Sequence, residues 1–306
     1  MSGARPLAGA AVLAAHDNVE PRASKGPLAL AWDRFRRDRV AMVALAILGA
    51  LCLIAAMAPA ITTYVVGHDP NRGRLTERFS PPSSAHLLGA DELGRDTLAR
   101  LIHAGRVSLT IGFSVAAIQL TIGVSFGLLA GYFRGWVDDA INAVIQVLNN
   151  LPGIYILIML SVLFRPNVLG LSIIFGVLGW TGVARQVRGK VLSERSRDYV
   201  DAARSSGAGN LRLMYRHILP NVSSVVLVLA GFDIAGAILS EAALSALGFG
   251  VRIPTPSWGN MLSKSLEYVN RGWWLVLAPG ALIGLTVFCL FYLTDAIRDA
   301  LDPRVK

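Results

Sequence analysis

"DYVDAARSSGAGNLRLMYRHILPN", residues 198–221, lies between two long apolar runs of the chain. Residues 199–206 have the composition of a short helix, with Asp198 as its cap and Ala202 and Ala203 making a small, closely approachable face. Gly207 and Gly209 break that helix, because glycine accepts the positive φ of a helix end. Residues 211–218 form a second helix with Leu211, Met214, Tyr215 and Ile218 on one side, and Pro220 is expected to stop it before the next apolar run. Two short helices meeting at a glycine make a compact polar knob. The same residues also suit an amphipathic loop resting on lipid, and the rest of the chain has to decide between the two.

Working outward, 54% of the 306 residues are hydrophobic and 16% are charged, against roughly 25% charged in soluble domains. The apolar residues fall in six blocks, 40–66, 107–133, 140–164, 167–184, 222–247 and 273–294. A span needs about 20 apolar residues at about 1.5 Å of helix rise each. These blocks are too long for strands and lack the alternation of a barrel, so helices alone satisfy their backbone in lipid. The expected fold is therefore an all-α integral membrane protein with six transmembrane helices. It has a tail and interfacial helix over 1–39, a first span at 40–66, and a loop at 67–106. A core of five spans occupies 107–296 and a short end 297–306.

The net charge of +9 is distributed as topology rather than as a nucleic-acid footprint. With the N-terminus inside, the inner segments hold 19 of the 29 Lys and Arg, eight of them in loop 185–221. The excess of positive charge in cytoplasmic loops thus places both termini on the cytoplasmic side of the membrane. Residues 7–15 mimic a signal peptide, but His16 and Asp17 end that run, and an uncleaved mobile tail is expected. The stretch "PLALAWDRFRRDR", 27–39, has the pattern of a surface helix with Trp32 and Phe35 towards lipid. Cys52 and Cys289 both lie in apolar blocks, away from any extracytoplasmic disulfide.

In the opening stretch, Asp201-Ala202-Ala203, Gly207 and Leu219-Pro220 resemble the "EAA" loop of ABC importer permeases. Asp201 stands where that family usually has Glu, and His217 where the general pattern has Ile; "HILPN" is common in its peptide-transporting branch. "HLLGADELGRDTLARLIHAGRVSL" at 86–109, "PTPSWGNML" at 254–262 and "IRDALDPR" at 297–304 are similar to the same dipeptide, oligopeptide and nickel branch, nearest its C-type subunits. The resemblance covers about residues 30–304. It implies a type I importer permease fold in which the knob is a cytoplasmic coupling helix. The residues carrying that role would be Asp201, Ala202, Ala203, Gly207, Arg212, His217, Leu219 and Pro220. It further implies a second permease subunit, two ATP-binding subunits or domains, and an extracytoplasmic peptide-binding protein. ATP and Mg2+ would sit on those partners, leaving no cofactor on this chain.

The chain itself offers no phosphate loop: the nearest match, Gly182 to Gly189-Lys190, has six intervening residues and is followed by Val191. No H-E-x-x-H metal motif occurs, and no histidine or lysine falls in an expected span. Two acidic residues do, Asp233 and Glu241, and a charge at mid-membrane costs about 2.5–3.5 kcal/mol on insertion scales. Eight residues apart, they are expected to share one broad face as a polar wall of the translocation path, or to pair structurally. Asn149 and Asn150, before Pro152, interrupt the third block and are further path candidates. Gly123, Gly127 and Gly131 form a strip that admits a close helix neighbour. Asp91, Arg95 and Asp96 are read as bracing their own loop, and Trp258, Trp273 and Trp274 as an aromatic belt. Asn221-Val222-Ser223 matches a glycosylation sequon on the inner side, where it has no use.

The expected function is half of an import path for dipeptides or oligopeptides, driven by ATPases elsewhere. Nickel import fits the same architecture. An ion-coupled secondary transporter using Asp233 and Glu241 is the rival, and it leaves the knob unexplained.

Overall fold

The structure is a computed structural model that describes residues 27–301. The signal-like run at 7–15, the rest of the tail to residue 26, and the end of the 297–304 motif lie outside the described residues. Every regular element among the described residues is helical, and two isolated bridges, Gly73 to Arg95 and Ala90 to Asp96, close a loop.

Helix α1, Pro27–Phe35, leads into α2, Arg39–Ala56, whose first amides are capped by the Asp38 carboxylate at 2.9 Å from Val40 N. The expectation that Phe35 faces lipid is corrected. Phe35 is buried against Ala41, Ala44, Cys289 and Leu293, and Trp32 alone of the pair is exposed.

Helix α3, Thr97–Phe133, has 37 residues, about 55 Å at about 1.5 Å per residue. It starts ten residues before the apolar block does, because the Asp96 carboxylate caps it at 2.7 Å from Ala99 N. His103 consequently stands in the helix.

The third and fourth blocks are not straight spans. Helices α4, Gly135–Asn150, and α5, Gly153–Phe164, meet at 79°. Leu151 takes the extended ψ of 131° that a residue before proline prefers, and Pro152 then starts α5. Helices α6, Val168–Gly179, and α7, Thr181–Arg195, meet at 44° at Trp180, so the basic stretch after the fourth block continues as helix. After α8, Asp198–Ser205, helix α9 runs unbroken over Asn210–Ala246. Four uninterrupted helices and two bent pairs, each pair taken as one span, give six spans.

Pro220 does not stop its helix. The turns before it widen into a π-helix over Leu213–Ile218, and the Asn221 side-chain amide donates to His217 O at 2.8 Å, supplying a donor to a backbone carbonyl beside the missing proline N–H.

The glycine strip sets the central packing. Gly123, Gly127 and Gly131 of α3 face Val183, Val187 and Val191 of α7 in register. A Cβ at these glycines would fall 2.5, 2.7 and 2.7 Å from the three valine Cβ atoms, so only glycine permits this approach.

At the far end of the bundle, α10, Trp258–Leu266, and α11, Trp273–Leu301, complete the chain. Ser257 and Asn260 cap α10 reciprocally. Trp258 does not belong to an aromatic belt. It is 1% exposed, with its backbone N–H donating to Ser108 Oγ and its indole N–H to Leu101 O. Trp273, 61% exposed, does face outward.

Candidate coupling surface and translocation groove

Helix α8 begins at Asp198 itself; Arg197, extended, is the capping position, and no side chain caps there. Asp198 and Asp201 instead lie in the first turn, where carboxylates favour the positive end of a helix dipole. The helix ends at Gly207 with φ +84°, and the amides of Gly207 and Ala208 close back onto Arg204 O and Ala203 O. Gly209 is extended and opens α9.

Val200, Leu213, Met214 and Ile218 are buried, packed with Tyr132, Val187, Val191 and Val222. Leu211 and Tyr215 do not share the Met214 face: they are 69% and 56% exposed. Leu213, which the helical spacing missed, takes the buried place. The knob therefore presents Asp201, Ala202, Arg212 and Pro220 outward together with these two apolar side chains, while Ala203, His217 and Leu219 are half-buried.

The knob is tied down at three points. Glu194 accepts from Lys190 Nζ at 2.7 Å and from Tyr199 Oη at 3.0 Å, and Asn221 Nδ2 donates to the same tyrosine oxygen. Burial, with the Glu194 carboxylate alongside, pushes the Tyr199 hydroxyl up to about 12, so it stays a donor. Tyr132 Oη donates to Asn210 Oδ1 at 2.8 Å, with the Arg195 guanidinium 5.5 Å over its ring. Sequence reasoning missed Glu194, Tyr132 and Asn210. A lone Glu in a basic stretch and a Tyr at the end of an apolar block were the available signals.

The two acidic residues of α9 do not form one wall. Glu241 is 1% exposed, and its Oε1 accepts from Ser245 Oγ at 2.6 Å and Ser257 Oγ at 2.8 Å. It ties α9 to the loop before α10. Asp233, half-buried, lines two cavities of about 540 and 320 Å3 that have Phe232 and Asp233 in common. Gln186 and Arg298 line the larger and Gln119 the smaller, none of them singled out from sequence although Gln119 interrupts one apolar block and Gln186 follows another. Asn149 lies outside both cavities, accepting from Thr181 Oγ1 at 3.0 Å, and Asn150 is exposed at the end of α4.

The loop before α3 is braced as expected. Arg95 Nε donates to Asp91 at 2.7 Å, and Arg100 Nε lies 3.4 Å from the same carboxylate. His86 Nδ1 meets Asp96 Oδ2 at 2.8 Å and Nε2 meets Glu77 at 3.3 Å. The hydrogen bond to Asp96 holds the His86 pKa above its ordinary value. His68, His86 and Asp96 bring donor atoms within 4.8 Å of one another, the one such group among the described residues. Both His86 nitrogens already serve carboxylates, so the geometry is that of a hydrogen-bonded clamp.

A multi-pass bundle of apolar helices with a polar knob at one end and a groove along its fifth span defines a membrane transport subunit. The family model described as binding-protein-dependent transport system inner membrane component matches residues 123–306, and that of the N-terminal transmembrane domain of oligopeptide transport permease C matches 26–82. The chain belongs to this family of transport permeases.

Among its relatives, the dipeptide transport system permease protein of Bacillus subtilis (strain 168) is 37% identical over 90% of this chain and 85% of its own length. The di/tripeptide transport system permease protein of Pseudomonas aeruginosa (strain UCBPP-PA14) is 37% identical over 92% and 93%. The oligopeptide transport system permease protein of Bacillus subtilis (strain 168) is 35% identical over 96% of each. An inward-facing crystal form of the MetNI methionine ABC transporter superposes with a TM-score of 0.56 at 17% identity, over 66% of this chain and 96% of that one. The fold is that of a type I ABC importer permease.

Proposed function

We propose that this permease forms half of the import path for dipeptides and short oligopeptides and couples it to partner ATPases. The observation that carries the reading is the knob. Two helices turn at Gly207 over a buried apolar base, and Asp201, Ala202, Leu211, Arg212 and Tyr215 are left facing away from the bundle. A surface of exposed apolar and charged side chains on a rigid base suits docking to another protein. The peptide-transport relatives favour peptides over nickel as cargo.

The partners are a second permease, two ATP-binding subunits or domains holding ATP and Mg2+, and an extracytoplasmic binding protein. Closure of the ATPases would draw the knobs of the two permeases together and turn the groove outward. Both termini and the knob face the cytoplasm in this scheme, as the basic residues of 185–221 favour. Ser196→Cys and Ser263→Cys, each in a background with Cys52 and Cys289 replaced by serine, test it in intact cells. An impermeant thiol reagent added outside should label the second and spare the first. Equal labelling would put the knob out of reach of cytoplasmic ATPases and end the reading.

A further inference from the structure

We propose that Asp233 receives the free α-ammonium group of the peptide in transit, an assignment that rests on the peptide-import reading above. Asp233 lines both cavities and is the one carboxylate lining either among the described residues. Its Oδ2 is buried without a hydrogen-bond partner, and Asp233 forms no ion pair among the described residues. An unpaired carboxylate at this depth is costly unless a cation meets it, and such groups mark transport pathways. Glu241 also has one oxygen without a partner, Oε2, but it is enclosed, lines neither cavity, and its Oε1 holds two serine hydroxyls, so it does not compete for this role.

The remaining walls suit a zwitterion that must pass on rather than stay. Among the described residues Arg298 is the one cation lining the larger cavity, and it forms no ion pair with Asp233, so opposite charges line one space. Gln119, Gln186, Ser224 and Ser240 add neutral hydrogen-bonding groups of either polarity. Gly236 leaves the wall beside Asp233 open, with nothing within 4 Å of where its Cβ would be. Both cavities fall within the roughly 300–1,000 Å3 of small-ligand sites. The rest of the linings is largely apolar, with Val225, Val228 and Leu229 in the larger cavity and Leu157, Phe175 and Leu178 in the smaller, so the charged termini are what Asp233 and Arg298 can read.

The test uses the complete transporter in proteoliposomes, with its binding protein preloaded to equal occupancy with alanyl-alanine or with propionyl-alanine, which lacks only the amine. Occupancy is measured on the binding protein alone, and uptake is expressed per loaded complex. Wild type should move alanyl-alanine at least about tenfold faster than propionyl-alanine, the worth of one charge-assisted hydrogen bond. Asp233→Asn should remove that preference by slowing alanyl-alanine alone, and Asp233→Glu should keep it; both variants should assemble with the partner subunits as wild type does. The assignment is overturned if wild type treats the two peptides alike, if Asp233→Asn leaves alanyl-alanine uptake at the wild-type rate, or if it slows both peptides equally. If wild type shows no ATP-dependent uptake of either peptide, the import reading itself fails and this assignment with it.

Discussion

Substituting Gly127 by alanine should loosen the α3–α7 contact on which the knob is built. A Cβ at Gly127 would stand 2.7 Å from Val187 Cβ and 2.8 Å from Ala184 O. Carbon atoms rest at about 3.5–4.0 Å, so α7 must retreat by roughly 0.8 Å or more. Val183 and Val191 are held by Gly123 and Gly131 one turn either way, so the helix cannot yield at one point alone. Overpacking of this kind costs about 1–3 kcal/mol. Gly49, on the exposed side of α2 with nothing within 4 Å of its Cβ position, is the control, and its alanine variant should be neutral or slightly stabilised. The assay is thermal unfolding of the purified permease pair in detergent, as a double-mutant cycle with Val187→Ala. The pair of substitutions should be more stable than the sum of the single losses, because the smaller residue makes room for the added methyl. Strict additivity, or a Gly127→Ala protein that melts with wild type, would refute the packing account.

Gly207 at φ +84° cannot accept proline, whose ring fixes φ near −65°. Gly207→Pro should insert normally yet lose ATPase binding and transport, and a transporting variant would remove the knob from coupling. Glu241→Gln retains an acceptor for Ser245 and Ser257 and strands no cation, so uptake and melting should stay near wild type. Glu241→Ala should lose about 2–4 kcal/mol by leaving both hydroxyls unpaired beside a void. His86 has a raised pKa, so its hold on the loop is full below about pH 6.5 and is lost as pH rises through the folded-state value. Hydrogen exchange of loop amides, corrected for intrinsic rates, should therefore speed up on the alkaline side in wild type, and His86→Gln should abolish that dependence.

The apolar blocks and the turn at Gly207 were legible because each rests on local rules: span length, and the φ that only glycine takes readily. The glycine strip was legible as a spacing, but its valine partners needed the tertiary register. Pro152 announced a break without its angle, and nothing in the composition around Trp180 signalled a second bend. Pro220 misled, because a π-helical stretch and the Asn221 amide carry the helix past it. Trp258 looked interfacial because it lies outside every apolar block; its burial comes from Ser108 and Leu101, about 150 residues away. Asp233 and Glu241 shared a span in the sequence, yet their different headings put one in a groove and the other in a closed polar knot.

The proposed import function separates path from motor. Accumulation of a labelled dipeptide should be measured in proteoliposomes holding this chain alone, under a proton or sodium gradient, and in vesicles holding both permeases, the ATPases and loaded binding protein with ATP. Uptake should appear only in the second, and only with ATP on the side of the knob. Gradient-driven uptake by the chain alone would contradict the account and make it a secondary transporter.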